Sequence, residues 1–326
     1  MEQKHESFVL ERTSPKRLRY KDIDPASLVI YRQEGENQRV FAKSDYEFCN
    51  GMIRRTDNSA IPDFSKSPFY DISSFDHEKF AVWGNEPYML FADYNYKADA
   101  QETTEYEARQ LSLKNGMLGY LLPFFEEMRG KSLRFTIFGD SISTGCEASC
   151  PQFTFFNRIV EFLKKTYAMN VSVRNVSVCG ESTFEGVRRY KKDVLGDDPQ
   201  LVTVGFGMND QNIINEKLTV EPGDYYKNIL EITRAIQQAG AKVILIAPCI
   251  PHPNWIHTSG LMSEYVEKLY LVAKNTGAAI ADVYHLWKSE LGYKKCDDLL
   301  RNGINHPTDY GHYLYYLMLK NIIAGE

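Results

Sequence analysis

No run of about eighteen apolar residues occurs anywhere in the chain, so nothing in it reads as a membrane-spanning helix. The opening residues, Met1 to Glu6, are charged and carry no apolar leader, which makes a cytoplasmic location the expectation. An excess of positive charge is also missing. With 38 Lys and Arg against 43 Asp and Glu, the net charge of −5 argues against nucleic acid as a partner, because phosphate binding depends on clustered cations. The one basic cluster, Lys16, Arg17 and Arg19 around Leu18, reads as a solvated face. The six cysteines, Cys49, Cys146, Cys150, Cys179, Cys249 and Cys296, show no paired metal-ligand spacing and read as free thiols. His252, His257, His285 and His312 form no His-x-His or His-Glu-x-x-His pattern, so no metal is expected, and no cofactor motif is present. Repeats and low-complexity tracts are absent as well.

What is present is enough apolar sequence, 43% over 326 residues, to bury more than one core. The texture changes near residue 125, and two domains are expected, 1–125 and 126–326. In the first, short β-like runs at 27–31, 39–42, 51–55, 79–83 and 88–92 are separated by turn residues, which predicts an antiparallel, jelly-roll-like β-sandwich. Its role is expected to be substrate binding or, through exposed edges, subunit pairing. Residues 121–128 bridge to the second domain.

After residue 131, strands and helices alternate as in a doubly wound α/β layer. Strands are expected at 133–137, 171–178, 201–206, Lys242–Ala247 and 278–282, giving a five-stranded parallel sheet. Helices are expected at 153–167, 224–239, 263–276 and 309–323, with Gly240 and Gly277 at helix C-termini. The strand at 133–137 runs into Gly139-Asp140-Ser141, which puts a serine where a parallel strand turns into a helix. The strand at 201–206 ends in Gly207-Met208-Asn209-Asp210, and the strand at 171–178 in Cys179-Gly180-Glu181. A fourth segment, 302–312, carries Asn305-His306-Pro307 just before an apolar helix.

With these four blocks in this order, residues 131 to 326 resemble the SGNH hydrolases, the GDSL-like esterase superfamily. The resemblance implies a flavodoxin-like three-layer α/β/α domain and a serine esterase without metal or cofactor. Matched residue by residue, it makes Ser141 the nucleophile, His306 the base, and Gly180 and Asn209 oxyanion-hole donors beside the N–H of Ser141. The chemistry agrees with this assignment. A serine hydroxyl attacks an ester only when a neighbouring base takes its proton. The oxyanion that forms is stabilised by donors already aimed at it, and glycine lets the main chain approach closely. Asp140 and Asp210 read as loop-holding hydrogen-bond acceptors, and Cys146 and Cys179 as neighbours of the serine.

One position departs from the family. The Asp that usually stands three residues before the His is Gly303 here, and the flanking Asn302 and Asn305 bear no charge. The imidazole is then oriented by another carboxylate, with Asp298 the nearest upstream candidate, or by a backbone carbonyl as in a Ser-His dyad. The Asn-His-Pro variant and the N-terminal β-sandwich resemble carbohydrate-active acetylesterases, which implies deacetylation of an oligosaccharide. A broad small-acyl esterase and a non-catalytic carbohydrate-binding protein on the same fold are the alternatives. Trp255, on the loop after the fourth strand, either walls the substrate pocket or anchors that loop in the core.

Overall fold

The computed structural model describes residues 1–81 and 84–325. Within the first hundred residues, β1 (Glu2–Phe8), β8 (Leu90–Lys97), β4 (Val29–Glu34) and β5 (Asn37–Val40) form an antiparallel sheet in that order, with β3 (Asp22–Ile23) on the far end of β8. A second antiparallel sheet joins β2 (Lys16–Arg17), β7 (Met52–Arg55) and β6 (Tyr46–Cys49). Side chains of both sheets, among them Phe8, Ile30, Ala92 and Tyr94 from one and Tyr46 and Ile53 from the other, share one buried cluster. That is the packing of a β-sandwich. The run 79–83 is no strand where it is described. His77–Lys79 is a single tight turn capped by the Asp76 carboxylate, and Val82 and Trp83 lie outside the described residues.

Two helices, α1 (Thr104–Lys114) and α2 (Leu122–Glu127), lead to the second sheet. Its strands are β9 (Ser132–Gly139), β10 (Asn170–Asn175), β11 (Leu201–Gly205), β14 (Lys242–Ala247) and β15 (Ala279–Asp282), ordered β10-β9-β11-β14-β15 with every pair parallel. The small hairpin of β12 (Ile213–Ile214) and β13 (Lys217–Leu218) stands apart. This is the flavodoxin-like order, in which ligands bind beyond the carboxyl ends of the strands where the winding reverses. Strands β9, β11 and β14 are near-continuous apolar runs because helices cover both faces. On one side α5 (Thr183–Asp193), α6 (Pro222–Gln238) and α7 (Met262–Thr276) pack in a row. On the other, α4 (Phe155–Tyr167) and α10 (Asp309–Ala324) pack together, with α1 and α8 (Val283–Glu290) beside them.

The N-terminal sheets are held to the α/β layer through buried charge. Lys294 Nζ lies 2.5 Å from Glu6 Oε1, Arg19 Nε lies 3.1 Å from Glu290 Oε1, and Glu290 also accepts from Thr104 and Tyr310 hydroxyls. Of the basic cluster at 16–19, only Arg17 is therefore a solvated residue. The Arg19 side chain is 3% exposed, and Lys16 pairs with Asp298.

Candidate active site

Ser141 opens α3 (Ser141–Thr144), the single helical turn that follows β9. The chain can turn there because Asp140 caps the helix, its carboxylate accepting from the Ile142 N–H at 3.0 Å. Gly139 is required for a different reason. A Cβ at that position would lie 2.5 Å from Ser143 Oγ and would collide with the carbonyl of Gly205, its partner across β9 and β11. The serine is thus pinned at the sheet edge, 4% exposed, with α3's first N–H groups left without intrahelical acceptors.

His306 reaches it from the opposite end of the chain. Its Nε2 lies 2.8 Å from Ser141 Oγ. The loop that carries it is folded around Asn302, whose side-chain carbonyl accepts from the N–H groups of Ile304, Asn305 and His306, each at 2.9 Å. Gly303 sits at φ +69°, and a Cβ there would come within 3.1 Å of Asn85 Oδ1. An aspartate is thus sterically disfavoured at the very position where the family carries one.

Gly180 and Asn209 are gathered at the same edge. The Val178 N–H donates to the Gly139 carbonyl at 3.0 Å, which ties the Gly180 loop to the end of β9. Gly180 adopts φ +80° with nothing near its missing Cβ, so its main chain stands open. Asn209 follows the turn at Gly207 after β11, and its Nδ2 donates to the Glu181 carbonyl at 2.9 Å. That bond uses one of the two amide hydrogens and fixes the direction of the other. Behind these loops Asp210 accepts from the Thr183 N–H at 3.0 Å and from its hydroxyl. Burial pushes Asp140 up to about 7 and Asp210 up to about 6, each against hydrogen bonds that favour the charged form.

Asp298 is not beside the imidazole. It is fully buried in α9 (Cys296–Leu299), where it accepts from the N–H groups of Val9 at 3.0 Å and Lys295 at 2.9 Å and from the Lys16 ammonium. Its place is fixed by the N-terminal strands, which a reading of the local sequence around His306 does not take in. The carboxylate facing His306 Nδ1 is instead Glu147, with Oε1 at 3.9 Å. No local pattern marks Glu147, since it lies in the loop after the nucleophile and meets the His only through the fold.

Trp255 takes the anchoring role. It is 6% exposed, packs with Phe69, Phe75 and Ile304, and donates its indole N–H to His77 Nδ1 at 3.1 Å. Cys146 and Cys179 do meet next to the serine, their sulfurs 3.4 Å apart. Among the described residues, the one trio with the spacing of metal ligands is Asp76, His77 and His257. The bond from Trp255 occupies the lone pair of His77 Nδ1 and so puts that ring's proton on Nε2, which leaves His77 a poor ligand.

Comparison with known proteins agrees with this geometry in fold and family. Residues 137–314 match the model of the GDSL-like Lipase/Acylhydrolase family. A curated relative, the "Uncharacterized lipoprotein YqeF" of Bacillus subtilis (strain 168), is 29% identical over 115 residues, which are 35% of this chain and 47% of that protein. The match thus takes in about half of the relative's length. Among solved structures, Axe2, an acetylxylan esterase from Geobacillus stearothermophilus, superimposes with a TM-score of 0.51 at 21% identity, over 60% of this chain and 96% of that one. LAE5, an alpha/beta hydrolase enzyme from the metagenome of Lake Arreo, Spain, does so with a TM-score of 0.51 at 19% identity, over the same shares. At such identities the likeness is one of fold.

Proposed function

Since the chain belongs to the GDSL-like lipase/acylhydrolase family, we propose that it is a carboxylic ester hydrolase whose nucleophile is Ser141 and whose base is His306. The observation that carries this reading is the 2.8 Å contact between His306 Nε2 and Ser141 Oγ at the carboxyl edge of the parallel sheet. As Oγ attacks the acyl carbon, its proton passes to Nε2, and the carbonyl oxygen becomes an oxyanion. The N–H groups of Ser141 and Gly180 and the second amide hydrogen of Asn209 face that charge, and one such donor typically contributes roughly 3–4 kcal/mol to the transition state. The tetrahedral adduct collapses as His306 returns the proton to the departing alcohol. Water, deprotonated by the same imidazole, then releases the acid and restores Ser141.

The substrate in this reading is a small acyl ester, acetyl first, carried on an oligosaccharide. Axe2, with which the chain shares its fold, is an acetylxylan esterase, so acetylated xylo-oligosaccharides are the substrate to try after a simple aryl ester. The segment between β7 and β8 packs against the loop that presents His306, through Phe69, Phe75 and Asn85, which suits a module that shapes the alcohol side of the pocket.

The test is hydrolysis of 4-nitrophenyl acetate and of acetylated xylo-oligosaccharides by wild type, Ser141→Ala and His306→Ala. Both variants should lose turnover on either substrate while retaining the wild-type melting temperature. Turnover that survives Ser141→Ala would refute the mechanism. Serine-dependent turnover of the aryl ester alone would leave a broad small-acyl esterase. Sugar binding without any turnover would point to a carbohydrate-binding protein.

A further inference from the structure

The imidazole of His306 has two nitrogens, and only one is accounted for. With Nε2 taking the Ser141 proton, the reactive neutral ring carries its hydrogen on Nδ1, and Nδ1 is buried without a hydrogen-bond partner. An unmatched buried N–H costs about 1–3 kcal/mol, and a ring without a second contact is free to rotate out of line with the serine. The family's usual answer is closed off at Gly303, and Asp298 is committed to Lys16 and the N-terminal strand.

We infer that Glu147, from the loop that follows the nucleophile, is the carboxylate that positions His306. The inference rests on the Ser141–His306 reading above. Glu147 Oε1 stands 3.9 Å from Nδ1, close enough that a change of side-chain rotamer brings it into hydrogen-bond range. The loop behind it is firmly set. His312 Nε2 donates to the carbonyl of Cys146 at 3.3 Å, and the Ser149 N–H donates to Asp309 at 2.8 Å, so both flanks of Glu147 are fastened to α10. Glu147 itself holds φ +66°, a conformation that is unfavourable for a glutamate. Such strain is tolerated where the surroundings fix a side chain in place. The carboxylate is also kept charged, held below the usual range chiefly by the His306 imidazole and further by Arg301, against the opposing effect of burial. Arg301 Nη1 is another buried donor without a partner beside this group.

The arrangement moves the third member of the triad from the His block to the Ser block. During turnover Glu147 accepts the Nδ1–H bond and stabilises the imidazolium. It takes no proton itself.

The experiment compares kcat and KM for 4-nitrophenyl acetate in wild type, Glu147→Gln and Glu147→Gly. The glycine variant also relieves the positive φ, so its fold is not at risk. Expected is a fall of kcat approaching roughly 10⁴-fold in Glu147→Gly with KM within about twofold, the scale of the loss when a triad carboxylate is removed. Added formate should restore part of the Glu147→Gly rate by occupying the vacated carboxylate position, and should leave Glu147→Gln unchanged. If both variants keep kcat within twofold of wild type while Ser141→Ala and His306→Ala are dead, His306 works as a dyad and the inference fails alone. A loss in Glu147→Gly that formate does not restore makes Glu147 a structural residue and likewise overturns it. Activity that survives Ser141→Ala would bring down the underlying mechanism instead.

Discussion

Asp298 pairs with Lys16 across 282 residues of sequence, although it lies only eight residues upstream of His306. The acid that local sequence offers to the imidazole is thus spent on joining the N-terminal strands to the catalytic layer. Its carboxylate serves Lys16, Val9 and Lys295 at once, and its main-chain carbonyl accepts from Ser7.

Replacing Asp298 should therefore damage stability and spare chemistry. Asp298→Ala leaves a half-buried ammonium and two N–H groups without their acceptor, and breaking a buried pair in this way costs about 3–5 kcal/mol. Denaturant melts should show that loss, and the kcat of the remaining folded enzyme should stay within about twofold of wild type. A large fall in kcat with an unchanged melt would return Asp298 to the active site.

Gly139→Ala should harm both. The added methyl would meet Ser143 Oγ at 2.5 Å and the Gly205 carbonyl more closely still, so β9 and β11 must move apart just where Ser141 is presented. Overpacking of this kind costs about 1–3 kcal/mol, and more when backbone is the obstacle. The melting temperature and kcat should fall together. Equal stability in the two proteins would mean that the strands close less tightly than described.

Acid sensitivity should trace in part to His312. Burial pushes this imidazole down to about 3, and it stays neutral while its Nε2–H holds the Cys146 carbonyl. Unfolded, the same group titrates near 6.5, so the unfolded state binds more protons as pH falls. Its contribution is intact above about pH 6.5 and is lost as pH drops from there toward 3, by up to about 1.4 kcal/mol per pH unit. His312→Phe, which retains the packing against Phe155, should lose about 2 kcal/mol less stability than wild type between pH 7 and pH 5. Identical slopes in the two proteins would show that other groups govern the acid limb.

How much of this was legible in the sequence differs from element to element. Strands β9, β11 and β14 announce themselves as short apolar runs, because a parallel sheet covered on both faces needs no polar alternation. The residues at their carboxyl ends, Ser141 and Asn209, follow directly from those strands. Helix α5 is not among the expected helices, since Arg and Lys crowd its surface and only Thr183, Gly186 and Tyr190 are buried, with a Cβ at Gly186 meeting Phe206 at 2.9 Å. Trp255 was readable as a large ring on a loop, but not as the partner of His77.

The sequence by itself determined the parallel sheet, which rests on a local pattern of apolar spacing and turn residues, and the order of the four blocks, whose resemblance to the SGNH hydrolases implies Ser141, Gly180, Asn209 and His306 as the candidate set. Only the tertiary structure decided which carboxylate faces His306. Glu147 and Asp298 are equally plausible as isolated acids, and what separates them is the packing of distant segments: helix α10 fastens the loop of one beside the imidazole, and strand β1 draws the other away. Such pairings depend on distances through space that no periodicity along the chain encodes.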